Sequence, residues 1–217
     1  MFQSIRSSIH SQLSTIRITS YRNIGYLHRG ERIRGLIRDE SEYLLNPNGL
    51  KYNLESILPL KQYLSTLLEN KSQINDELLL QISTHKSFAH GSKPFNEKLA
   101  IYGGHFLKYK TSLFAIQTGG IDSLGSKTSK DLISRKVLAE FIRKNELNQG
   151  IYWKKRDQLL TDSSINGEDS VFATVLEALI GGLLLNKGKL ITEKFINERL
   201  LNETDPNSLI NIAKNIK

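Results

Sequence analysis

From residue 50 onward, apolar side chains recur every three or four positions, the spacing of helices that bury one face. Leu54, Ile57, Leu58, Tyr63, Leu64, Leu67 and Leu68 set the first such register, which Pro59 is expected to split or kink. Asn75-Asp76-Glu77 supplies the next start signal, with acids in the first turn where the helix dipole favours them. Leu78, Leu79 and Ile82 carry that helix into Thr84-His85-Lys86-Ser87, and Ala89 to Phe95, with Gly91 and Pro94, predicts a loop. Asn96 is predicted to cap a long helix whose apolar stripe is Leu99, Tyr102, Phe106, Tyr109, Leu113 and Phe114. Thr118 to Lys130 is rich in Gly and Ser and predicts a surface connection, and Leu132 to Leu147 predicts one amphipathic helix.

The most regular pattern comes later. Val171, Phe172, Val175, Leu176, Leu179, Ile180, Leu183 and Leu184 mark a helix that Asn186-Lys187-Gly188 should end. Leu190 to Leu201 predicts another, and the stretch after Asn202 has room for one last short helix. No segment alternates convincingly with period two, so the expected fold is all-α.

Composition narrows the chemistry. There is no cysteine, which excludes disulfides, thiol catalysis and thiolate metal sites. The longest uninterrupted apolar run, Ala178 to Leu185, is far short of the roughly 20 residues that span a bilayer, so no membrane span is expected. A net charge of +8 is compatible with a polyanionic partner, RNA or DNA before a membrane surface.

That charge is unevenly placed. Residues 1–30 hold Arg6, Arg17, Arg22 and Arg29, eight serines and threonines, and no acid before Glu31. This composition predicts a mitochondrial transit peptide over 1–30, cleaved between about residue 16 and residue 31, and hence a matrix location. A basic tail that binds RNA phosphates directly is the alternative. Removing those four arginines lowers the net charge from +8 to +4, so the remainder is only mildly basic. Residues 31–50 read as a basic N-terminal arm closed by the turn Asn46-Pro47-Asn48-Gly49. Residues 51–202 read as the domain and 203–217 as a C-terminal tail.

Two segments carry a resemblance. Thr84-His85-Lys86-Ser87 followed by Asn96-Glu97 to Gly103-Gly104, and Leu176-Glu177-Ala178-Leu179-Ile180-Gly181-Gly182, are similar to the two signature segments of the ribonuclease III family. The likeness spans roughly residues 72 to 200 and implies the helical fold of that family's endonuclease domain. Family members hydrolyse double-stranded RNA with magnesium held by carboxylates, which activates water and neutralises the leaving oxygen. By this resemblance the acids belong at Glu97, Ala100 and Gly104 on one helix face, and at Thr174 and Glu177 on another.

Glu97 and Glu177 remain; the other three positions have lost their carboxylates. Ala and Gly offer no side-chain oxygen, and Thr offers only a neutral hydroxyl. The expectation is therefore no catalytic residue, no metal and no cofactor, with Glu97 as an acid of a helix start and Glu177 as a structural or interface residue. His85, His90 and His105 lie nearby, but no H-x-x-x-H or H-x-x-E-H pair exists to replace the site.

The family's dimers and the acid-depleted motif together imply a partner role. This combination resembles the tail-less ribonuclease III-like proteins of the fungal mitochondrial large ribosomal subunit, and implies binding to large-subunit rRNA and neighbouring ribosomal proteins, with a second ribonuclease III-like subunit as heterodimer partner. Two alternatives stay open: an endoribonuclease for double-stranded RNA completed by a partner chain, and an RNA-processing scaffold outside the ribosome. For RNA contact the candidates are Trp153, Lys154, Lys155 and Arg156, where aromatics stand beside cations, and Arg32, Arg34 and Arg38 on the arm. Core aromatics next to a solvated basic turn are the competing reading of the first group.

Overall fold

A computed structural model describes residues 44–66, 74–155 and 167–216. The expected presequence, and Arg32, Arg34, Arg38 and Arg156, lie outside the described residues. Those described belong to one compact unit, Glu40–Lys217. It is helical throughout: among the described residues β-structure is limited to two isolated bridges, Leu45 with Lys51 and Thr84 with Tyr152.

The turn expected to mark the domain edge is sewn into the body. Asn46 is buried, and its Nδ2 donates 2.8 Å to the Gln149 carbonyl. A 3-10 turn, Leu54–Ile57, then leads into α1 (Leu58–Ser65). Pro59 sits in the first turn of α1, where its missing N–H leaves no bond unmade, so it starts the helix instead of kinking a longer one. Asn75 caps α2 (Asp76–Ser83), accepting from the Glu77 N–H at 3.1 Å, and Lys61 holds Asp76 at 2.8 Å. A 3-10 turn over Phe88–Gly91 opens the predicted loop one residue early, with Ala89 and His90 at positive φ.

The two long helices, α3 (Glu97–Gly119) and α6 (Glu168–Phe195), form the principal packed pair. Their crossing explains a difference from the expected stripe. The buried face of α3 is Leu99, Ala100, Gly103, Gly104, Leu107, Thr111 and Ala115, whereas Tyr102 and Tyr109 are exposed. The helices touch backbone to backbone: a Cβ on Gly103 would collide with the Glu177 carbonyl and the Gly181 amide, and one on Gly181 with the Leu99 carbonyl. Only small residues fit that contact, so the larger aromatics turn away from it.

Between the long helices, the sequence predicted a connection and then one helix. In the structure α4 (Lys127–Leu132), capped by Ser126, begins inside the Gly/Ser-rich stretch. The chain breaks at Ile133, and Ser134 caps α5 (Arg135–Lys144) by accepting from the Val137 N–H. Ser134 lies within an unbroken apolar register, which is why the pattern alone hides the break. Arg143 fastens α5 to the start of α6 through Glu168 and Asp169, with its guanidinium 5.3 Å from the Phe172 ring.

Gly188, at φ 78° and ψ 178°, interrupts α6 where the Asn-Lys-Gly signal placed an end, and the helix then resumes into a π turn over Ile196–Leu200. Residues 203–217, expected as a tail, carry α7 (Leu209–Asn215). Leu209 and Ile212 are fully buried there, and α7 packs against α4 and α5 as part of the core. No described helix is long and apolar enough to cross a membrane.

Candidate functional site

The Thr84-His85-Lys86-Ser87 segment is a staple. Ser83 and His85, on either side of Thr84, pair with the backbone of Tyr152: the Tyr152 N–H donates to the Ser83 carbonyl (2.9 Å) and the His85 N–H to the Tyr152 carbonyl (2.8 Å). The Thr84 carbonyl accepts the Asn96 N–H at 3.0 Å, which sets where α3 begins. Ser87 Oγ accepts the Lys154 N–H (3.0 Å), and His85 Nδ1 accepts the Ser87 N–H (3.1 Å). That last bond leaves the ring proton on Nε2 in the neutral imidazole. Burial pushes the His85 pKa down; Glu97 opposes this and Lys86 adds to it.

Asn96 does not cap α3 with its side chain as expected. It is fully buried, and Nδ2 donates 2.9 Å to the Ile82 carbonyl, tying α2 to the head of α3.

These elements, with α5 and α6, enclose a cleft of about 520 Å³ that contains every position of the acid pattern. Glu97, Ala100 and Gly104 line it from α3, and Thr174 and Glu177 from α6. The site also holds His85, Lys86, His105, Lys108 and Arg135. Two lysines and an arginine therefore share the cleft with two glutamates. Lys108 was within reach of sequence reasoning, because it follows Glu97, Ala100 and Gly104 on the same helix face. Arg135 comes from α5, and nothing local in the chain announces it. His90 is not part of the lining.

Neither carboxylate is free of protein influence. Lys86 Nζ holds Glu97 Oε1 at 2.9 Å, with both side chains largely exposed. Glu177 is partly buried: burial pushes its carboxyl pKa above the ordinary value, and Lys108, Arg135 and His105 pull it back. A Cβ on Gly104 would lie 3.1 Å from Glu177 Oε1, so an acid at 104 would face Glu177 directly. Thr174 turns its hydroxyl onto its own helix, donating 2.8 Å to the Ser170 carbonyl.

Magnesium requires several hard oxygen ligands, carboxylates above all. Here one carboxylate is engaged by lysine, two positions have no donor, and the threonine hydroxyl is committed elsewhere. The residues present do not fit a magnesium site, and among the described residues no three His, Asp or Glu converge as a metal cluster would require.

The basic cluster is corrected in part. Trp153 is 6% exposed and meets the Phe172 ring edge-on, with centroids 6.4 Å apart, so it has no face to stack on a base. Tyr152 is also buried, against Tyr52 and Phe88, and its hydroxyl donates 2.6 Å to the Lys51 carbonyl. Lys154 is exposed and Lys155 partly so; both remain available for a phosphate. The split follows position: Ile151 to Trp153 are buried in a row where Tyr152 is pinned beside Thr84, and burial ends at Lys154.

Residues 75–204 match the family model described as "Ribonuclease-III-like". The chain belongs to the ribonuclease III-like family. It is 30% identical over 134 residues to the protein named Ribonuclease 3 of Pelagibacter ubique, a match covering 59% of this chain and 58% of the relative's length. A solved structure, the nuclease domain of ribonuclease III from Campylobacter jejuni, aligns with 24% identity and a TM-score of 0.49, covering 65% of this chain and 94% of that one.

Proposed function

We propose that this chain is a non-catalytic member of its family, a structural constituent of the mitochondrial large ribosomal subunit that binds rRNA and neighbouring proteins. The observation that carries the loss of catalysis is the cleft, where Lys86, Lys108 and Arg135 outnumber Glu97 and Glu177 and three acid positions are Ala, Gly and Thr. The acid-free, Arg- and Ser-rich residues 1–30 support mitochondrial targeting. A second ribonuclease III-like subunit is the proposed partner. Tyr102 and Tyr109 support this, because they lie one above the other on α3 outside the cleft lining at 46% and 51% exposure, where another helix would cover them.

A density-gradient profile of mitochondrial extract tests the residence. The protein should migrate with the large subunit and shift when that subunit is dissociated; a profile confined to the top of the gradient would overturn it. The second reading, a ribonuclease completed by a partner's carboxylates, is favoured by the name of the Pelagibacter relative. Cleavage by a reconstituted pair would decide for it.

A further inference from the structure

We infer that the acid-depleted cleft is a metal-independent phosphate site, in which Lys108 and Arg135 hold a phosphodiester of an RNA strand. The inference rests on the reading that this chain binds RNA without cleaving it, and it specifies where one contact is made.

Four observations support it. First, Lys108 and Arg135 approach the cleft from different helices, α3 and α5, and both are exposed. Neither forms an ion pair among the described residues, whereas Lys86 is occupied by Glu97. Second, Arg135 is the first residue of α5 and Lys136 the second, and that first turn has no acid. Cations at a helix N-terminus add to the positive end of the dipole, an arrangement that costs stability until an anion sits there. Third, Glu177 does not neutralise the pair by contact, since no salt bridge joins it to either, and it lies over Gly104 on the cleft wall. Fourth, a volume of about 520 Å³ admits a phosphate with its flanking sugar atoms. Arginine offers a fixed fork of N–H donors and lysine a mobile point charge, the usual complement of a backbone phosphate.

The test is fluorescence anisotropy of a labelled short RNA duplex with the full chain, in EDTA, across a salt series. Lys108→Ala and Arg135→Ala should each weaken binding about tenfold, the worth of one charge-assisted hydrogen bond. Each should also lower the steepness of the salt dependence by about one. Arg135→Ala should melt close to the parent, because losing a cation from a helix start offsets losing its attraction for Glu177; a general folding defect would lower the melting temperature markedly. Inorganic phosphate provides a second arm: weak competition at millimolar concentration is expected, and competition as strong as the duplex would reassign the site to free phosphate and overturn the RNA assignment. Unchanged affinity and salt slope in both variants, or binding that disappears in EDTA, would also overturn it. Those outcomes leave the non-catalytic reading standing, since that reading falls only to cleavage of RNA.

Discussion

At the scale of single residues, Glu177 and Trp153 show how the same side chain changes meaning with its surroundings. Glu177 belongs to a motif that suggests a metal ligand, yet its carboxyl is held above the usual range by burial, with Lys108, Arg135 and His105 only partly offsetting this. The folded state then keeps its proton to higher pH than the unfolded chain does. Stability should therefore fall as pH rises from the ordinary carboxylate range through the folded pKa, and level off beyond. Glu177→Gln removes that slope. Thermal melts from about pH 4 to about pH 8 should show the variant gaining on the parent as pH rises; parallel curves would contradict the burial argument. Trp153 is a core residue, so Trp153→Ala should cost about 3–5 kcal/mol in denaturant unfolding. Lys154→Ala should leave stability unchanged. Equal, small effects from both would mean that the indole is not packed against Phe172.

At the scale of elements, the crossing of α3 and α6 decides which faces are used. Gly103 and Gly181 allow the backbones to touch. Gly103→Ala should destabilise by at least the roughly 1–3 kcal/mol typical of overpacking, because its Cβ meets backbone that cannot move aside. Gly104→Ala should be milder, since its neighbour is the Glu177 side chain. Urea unfolding of the pair ranks them; the reverse order would place the crossing elsewhere. This crossing also explains what the sequence could and could not convey. Helical periodicity located nearly every described element, and Asn75, Pro59 and Gly188 carried their boundaries. The stripe on α3 was misassigned because periodicity counts large apolar residues, whereas close packing had selected Ala and Gly. Ser134 broke a helix without breaking the register. The acid positions of the cleft came from the resemblance to the ribonuclease III family, and helical spacing only put them on common faces. Arg135 was not legible, because only tertiary folding brings α5 to that wall.

At the scale of the whole molecule, a ribonuclease III-like frame is held together by the Thr84–Tyr152 pairing, the Arg143 links and the buried α7. A chain ending at Leu201 should lose the cooperative melt of the parent, since Leu209 and Ile212 fill the core beside α4 and α5. A sharp, unshifted transition by circular dichroism would show α7 to be dispensable. The retained frame with an altered cleft is the central claim, and it meets a direct measurement. The purified full chain is incubated with a long RNA duplex and magnesium beside an active ribonuclease III, and the products are resolved on a denaturing gel. The duplex should remain intact while the control digests it. Magnesium-dependent cleavage by this chain, abolished in Glu177→Gln, would contradict the account.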